Sequence, residues 1–199
     1  MKIFTISVFA AFAALSVSSI PAQTPSAVLE PLSASDKLKY HASRGGGLLS
    51  LTGSAAVAGV VHGFDTPREW GEGAEGFGRR LADEVGTGIA RNIFALSLDT
   101  ALREDPRYFR SERKGFFPRL GHVVAGTFTT RTDAGGTRFA TWRFGSAYGA
   151  GYLATAWYPE RVRTPSLGLE QGSLIIGGDV LVNFGLEFWP DIRKAVFRR

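Results

Sequence analysis

Small residues stand four apart in WRFGSAYGAGYLATAWYP, residues 142–159, on two adjacent lanes. Gly145 and Gly149 form one; Ala147, Gly151 and Thr155 form the other. A glycine inside a helix costs about 1 kcal/mol relative to alanine. Residues four apart share a helix face. A face without side-chain bulk lets two backbones approach closely, and the dispersion attraction between them offsets that cost. The stretch is therefore expected to fold as a helix packed tightly on other helices. The lane recurs as Gly78, Ala82, Gly86 and Ala90, as Ala55, Gly59 and Gly63, and, seven apart, as Gly178 and Gly185. Gly78, Ala82, Gly86, Gly145, Gly149 and Gly151 are the expected packing residues.

The rest of the pattern is helical too. Ser33-Ala34-Ser35-Asp36 has capping-box form and predicts a short helix, interrupted by the glycines of Arg44–Gly47. Leu48–Phe64 carries no charge. Thr66-Pro67-Arg68-Glu69 reads as a helix start, with Thr66 as cap and Pro67 in the first position. Leu81, Val85, Ile89, Ile93 and Leu96 recur at spacings of three and four, predicting a helix over 77–103. Further helices are expected over 119–130, with Leu120, Val123, Val124 and Phe128 as its apolar side, over 142–158, and over 167–189, where Pro190 interrupts. TDAGGT, 132–137, is a turn by composition. No alternating run is long enough for a sheet. The fold class is all-α, a bundle of five or six helices.

The chain opens MKIFTISVFAAFAALSVSSIPAQ: a positive Lys2, an apolar run, and a small residue at Ala22. That is the pattern of a signal peptide over 1–22. A leader follows over 23–32, then one helical domain over 33–199. There is no cysteine, which excludes disulfides and thiolate metal sites. The formal charge is +5, or +4 without Lys2. That balance suits anionic lipid or an acidic envelope polymer as partner, or solubility alone. Nucleic acid is not expected as a partner of an exported chain. No charge-free window is a convincing membrane span by itself. A peripheral or partly inserted bundle, a homo-oligomer sealing its small-residue faces, and a compact periplasmic bundle all satisfy this pattern.

Chemistry is thin. His41, His62 and His122 lie in separate segments without metal-ligand spacing, and no nucleophile elbow, phosphate loop or dinucleotide fingerprint is present. No metal or cofactor is expected. The best catalytic candidates lie in EWGEGAEGFGRR, 69–80, where Glu69, Glu72 and Glu75 are spaced by three. Paired carboxylates divide acid and base roles in glycan cleavage, although acidic residues near a helix start also follow from the macrodipole. Asp179, Asn183 and Glu187 form a polar stripe on the last helix. The stripe either lines a cavity or pairs with arginine from another helix, or it is the solvated side of an amphipathic helix.

EWGEGAEGFGRR, EDPRYFRS, TRTDAGGTRFATWRFGSAYGAG, AWYPERV and EFWPDIR, taken in order, resemble the motif series of an uncharacterised exported bacterial protein family. The resemblance implies one domain and no particular activity. The expected role is structural or interaction-based in the cell envelope, in the periplasm or at a membrane. A periplasmic hydrolase using Glu69 or Glu72 and a soluble binding module are the alternatives.

Overall fold

A computed structural model describes residues 30–196. The expected signal peptide, the leader up to residue 29, and residues 197–199 lie outside the described residues. The fold is 75% helical, with six helices and a single two-stranded sheet among the described residues, consistent with an all-α bundle.

Helix α1 spans Ala34–Gly46, capped by the Ser33 hydroxyl, which accepts the Asp36 amide at 3.2 Å. The glycines interrupt it within the expected segment, at Gly47, while Gly45 and Gly46 remain helical. Gly45 lies against Asn92, where a Cβ would stand 2.9 Å from the amide nitrogen. Extended backbone at Gly47 separates α1 from α2, Leu48–Gly63.

Thr66-Pro67 does not start a helix. The peptide between them is cis, Thr66 donates to the Phe64 carbonyl, and Arg68–Trp70 makes one 3-10 turn. Helix α3 begins later and spans Gly73–Ala101. The cause is tertiary: the chain before α3 wraps around the side chain of Arg80, described below.

Helix α4 spans Phe116–Phe128 and runs into a hairpin, β1 (Thr129–Arg131) and β2 (Thr137–Phe139), with Thr130 opposite Arg138. The predicted turn TDAGGT bends this hairpin. Helix α5 spans Thr141–Ala154 and ends in the 3-10 turn Thr155–Trp157. Helix α6 spans Pro165–Val196 and continues through Pro190, against the expected interruption. Proline removes one helical hydrogen bond. The carbonyl that loses its donor is that of Leu186; the guanidinium groups of Arg110 and Arg119 bond the next carbonyl, that of Glu187. Helix α5 packs on both α3 and α6, α1 and α2 pack on α3, and α4 packs on α6.

The core combines small residues, buried charges and an apolar cluster of Tyr108, Val123, Leu186 and Phe188. Ala58, Ala90, Ala95, Ala140, Ala147, Ala150 and Ala154 are buried, and so are Lys37, Arg80, Asp83, Asp99, Glu104, Asp105, Arg143 and Glu187. Large side chains lie on both sides: Trp70, Trp142, Tyr158 and Ile176 are also buried, whereas Leu48 is 80% exposed, Phe117 79% and Ile93 59%. On α3 the expected apolar face is thus only partly turned inward. Ile89 and Ile93 are exposed while Arg80, Asp83 and Asp99 are buried.

Candidate functional site

Three charged nodes occupy the interior. The first lies along α6. The stripe expected there is not its solvated side. Asp179 accepts Arg91 at 2.5 Å and stands 3.8 Å from the buried Arg143. Asn183 donates to Thr127 at 3.0 Å. Glu187 is fully buried and accepts three donors: Arg119 at 2.8 Å, and the Tyr108 hydroxyl and Ser111 amide at 3.0 Å each. Burial beside Glu187 pushes the Tyr108 hydroxyl well above the usual phenol range. The segment EDPRYFRS is in this way fastened beneath α6.

The second node joins α1 to the end of α3. Lys37 is almost wholly buried and donates to the carbonyls of Asp99 and Glu104 at 2.8 Å each. His41 contacts Asp99 at 2.6 Å. Glu104, fully buried, accepts Arg138 at 2.8 Å and the Trp142 amide at 2.8 Å. It thereby supplies from another segment the acceptor that the first turn of α5 needs, since Ala140 has none to offer. Asp105 pairs with Arg107 at 2.5 Å, and Tyr108 and Phe109 are buried under this corner.

The third node explains EWGEGAEGFGRR. Arg80 is 1% exposed. It donates to the carbonyls of Thr66, Pro67, Gly71 and Gly76 at 2.7–3.1 Å, contacts His62 at 3.1 Å, and reaches Asp65 at 3.3 Å. Gly71 adopts φ +74, which side chains disfavour, and a Cβ on Gly76 would collide with the Gly71 carbonyl. The glycines let the backbone wrap a guanidinium whose five donors demand acceptors.

Beside this node lies an open cleft of about 670 Å³ lined by Glu69, Trp70, Arg79, Asp83, Gly86 and Trp157. Asp83 accepts the Trp157 ring nitrogen and the Tyr158 hydroxyl at 2.8 Å each, and Thr87 at 3.3 Å. Burial raises the Asp83 carboxyl above its usual range against those bonds. The next residue, Glu84, is pushed up to about 8 by burial and the Asp83 charge.

The three glutamates do not form one site. Glu69 lines the cleft with Arg161 at 3.8 Å, Glu72 stands exposed at the start of α3, and Glu75 pairs with Arg79 at 2.5 Å. The expected packing residues divide. A Cβ on Gly145 would stand 2.7 Å from Leu98, on Gly149 3.2 Å from Phe94, and on Gly151 2.7 Å from the Gly172 nitrogen and 2.8 Å from the Gly168 oxygen. Gly78 and Ala82, however, are exposed, and Gly78 has nothing within 4 Å of a Cβ. Gly86 faces Trp157 only at ordinary contact distance. The N-terminal part of the α3 lane is therefore not a helix seam: Ala82 and Gly86 line the cleft described above, and only Ala90 is buried. Gly168 and Gly172, unanticipated, lie under the rings of Tyr152 and Tyr148.

Sequence reasoning also misses the interior charges Lys37, Arg80, Asp83, Glu104 and Arg143. Nothing local marks them, since Lys37, Arg80, Asp83 and Glu104 each stand within two positions of another charge and Arg143 stands between Trp142 and Phe144. Among the described residues, no three His, Asp or Glu side chains come together as a metal-holding group. No family model, curated protein or solved structure matches the chain, so the family resemblance rests on its motifs alone.

Proposed function

We propose that the chain is an exported cell-envelope protein with a structural, membrane-associated role. Its outward apolar side chains meet lipid, and eight of its charged side chains are held inside by hydrogen bonds and ion pairs. The observation that carries this reading is the distribution of polarity. Leu48, Leu51, Ile89, Ile93, Phe117, Leu153, Leu169 and Leu174 are exposed while eight charged residues are buried. In water that arrangement forgoes apolar burial and bears the desolvation of ions. Against lipid it is the favourable one, with small residues at helix seams and ionisable groups facing inward. Among the described residues no single helix is long and apolar enough to cross a membrane, so the reading is association through helix faces. The test is fractionation of the envelope at low ionic strength. The mature protein is expected to sediment with the membrane and to be released by an alkaline carbonate wash, as a surface-bound protein is. Recovery from the periplasmic fluid at low ionic strength overturns the reading.

The cleft supports a second reading, a binding module for a saccharide. Trp157 is 41% exposed and oriented by Asp83, with Glu69 and Arg79 beside it. An aromatic platform with polar groups at its edge suits a sugar ring. A hydrolytic pair there would need Glu69 with Asp83, whose two oxygens already accept three donors. A thermal shift with soluble cell-wall fragments, lost in Trp157→Ala, tests the binding reading. Zymography on cell-wall material tests hydrolysis.

A further inference from the structure

Helix α4 turns Val123 into the core but keeps a second apolar row outward. Phe117 is 79% exposed, Val124 43% and Phe128 44%, at spacings that keep them on one face. The buried Val123 and Thr127 are on its inner side. Phe144 extends the stripe, with its ring 5.4 Å from Phe128 and 4.7 Å from the exposed Phe139. At the other end Phe116 lies 5.4 Å from Phe117 and 5.3 Å from Phe188 of α6, which fixes the start of α4 to the C-terminal part of α6. Cations flank this end from both segments. Arg113 and Lys114 precede α4, and Arg193 and Lys194 lie in the last turn of α6, all exposed. Of the nearby carboxylates, Asp191 is paired with Arg119 at 2.6 Å, which leaves Glu112.

We propose that this edge is a docking surface for an anionic phospholipid layer. Helix α4 lies in the plane of the interface, with Phe116, Phe117, Val124 and Phe128 among the acyl chains. Arg113, Lys114, Arg193 and Lys194 meet the headgroup phosphates. An apolar stripe with basic residues beside it is the makeup of an in-plane amphipathic helix, and cations near an anionic leaflet are attracted individually. A second copy fits less well, because a two-fold pairing of this edge brings like charges together. An acidic polymer would use the cations and leave the phenylalanines in water. The proposal rests on the membrane-associated reading above and narrows it to one surface and one lipid class.

Co-sedimentation of the purified full-length mature chain with phosphatidylcholine vesicles, with and without phosphatidylglycerol, tests it. Binding is expected to favour the anionic vesicles and to weaken with salt. Arg113→Gln and Lys114→Gln should each lose about fivefold in that preference. Phe117→Ser should lower binding to anionic vesicles by roughly tenfold or more, the loss expected when a large apolar side chain no longer enters the acyl region, while Leu174→Ser on α6 serves as the comparison. Phe117 is mostly exposed, so the variant keeps its fold, which circular dichroism checks. If both vesicle types bind equally and Phe117→Ser matches Leu174→Ser, this surface is wrong and membrane association stands. If neither vesicle type is bound, both readings fall. If Phe117→Ser dissolves a dimer and leaves vesicle binding intact, the occupant is a second copy and the lipid surface is overturned. If soluble polyphosphate competes fully and Phe117→Ser changes nothing, the cations serve a polymer and the lipid surface is again overturned.

Discussion

A methyl group at Gly151 would have nowhere to go. Its neighbours at 2.7 and 2.8 Å are the backbone nitrogen of Gly172 and oxygen of Gly168, which cannot rotate aside. Gly145 differs, because the atom at 2.7 Å is the end of the Leu98 side chain. Gly151→Ala is therefore expected to destabilise the fold by about 1–3 kcal/mol, and Gly145→Ala by less. Gly149→Leu, which must displace Phe94, falls in the same range of about 1–3 kcal/mol. Gly78→Ala, with open space around it, should stabilise by up to about 1 kcal/mol through helix propensity. Urea melts of the variants check the ranking; equal stability of the Gly151 and Gly78 variants would contradict it. Glu84 adds a pH dependence. Its carboxyl is pushed from 4.5 up to about 8, so between those values the folded chain holds a proton the unfolded chain has released. Its contribution is fully present below about pH 4.5 and is lost as pH rises through about 8. Glu84→Gln should flatten the fall of melting temperature across that window and melt higher than wild type on its alkaline side. Asp83, raised in the same direction, leaves part of the slope. An unchanged slope in the variant rules Glu84 out.

Between elements, the charged nodes do what a larger apolar core does elsewhere. Glu187 ties α6 to α4 through Arg119 and to the 104–111 segment through Tyr108 and Ser111. Removing one partner of a buried pair costs about 3–5 kcal/mol, because the other charge is stranded. Glu187→Ala is expected to lose that much, and Asp191→Ala, whose partner Arg119 keeps Glu187, less than about 1 kcal/mol. Chemical denaturation distinguishes the two; similar losses would show that Glu187 is not the tie. The elements themselves are largely legible in the chain. The cap at Ser33, the turn at TDAGGT, and the helices around α3, α4, α5 and α6 follow from spacing and from residues within a few positions. The start of α3 is not legible. Thr66-Pro67 carries the local signal for a helix, yet Arg80, fourteen residues on, takes the Thr66 carbonyl and draws that segment into a wrap. Pro190 also misleads, since α6 continues through it to Val196.

Across the molecule, buried charges and an apolar cluster share the interior, while large apolar side chains stand among charged ones on the surface. The proposed export through a cleaved signal peptide carries the prediction of a mature N-terminus at Gln23, which N-terminal sequencing of the protein purified from cells checks; a retained Met1 would contradict cleavage. The helical class, the position of most helices and the seam on α5 could all be read from the order of residues. Each depends on backbone propensity, capping and 3.6-residue periodicity, which act within one or two turns. The choice of buried face on each helix could not. A periodic face states that two sides of a helix differ, and what packs on each side is set by residues far along the chain. So the stripe Asp179, Asn183 and Glu187 turned inward toward Arg91, Arg143, Thr127 and Arg119, Ile89 and Ile93 turned outward, and Gly78 came to lie on an open surface.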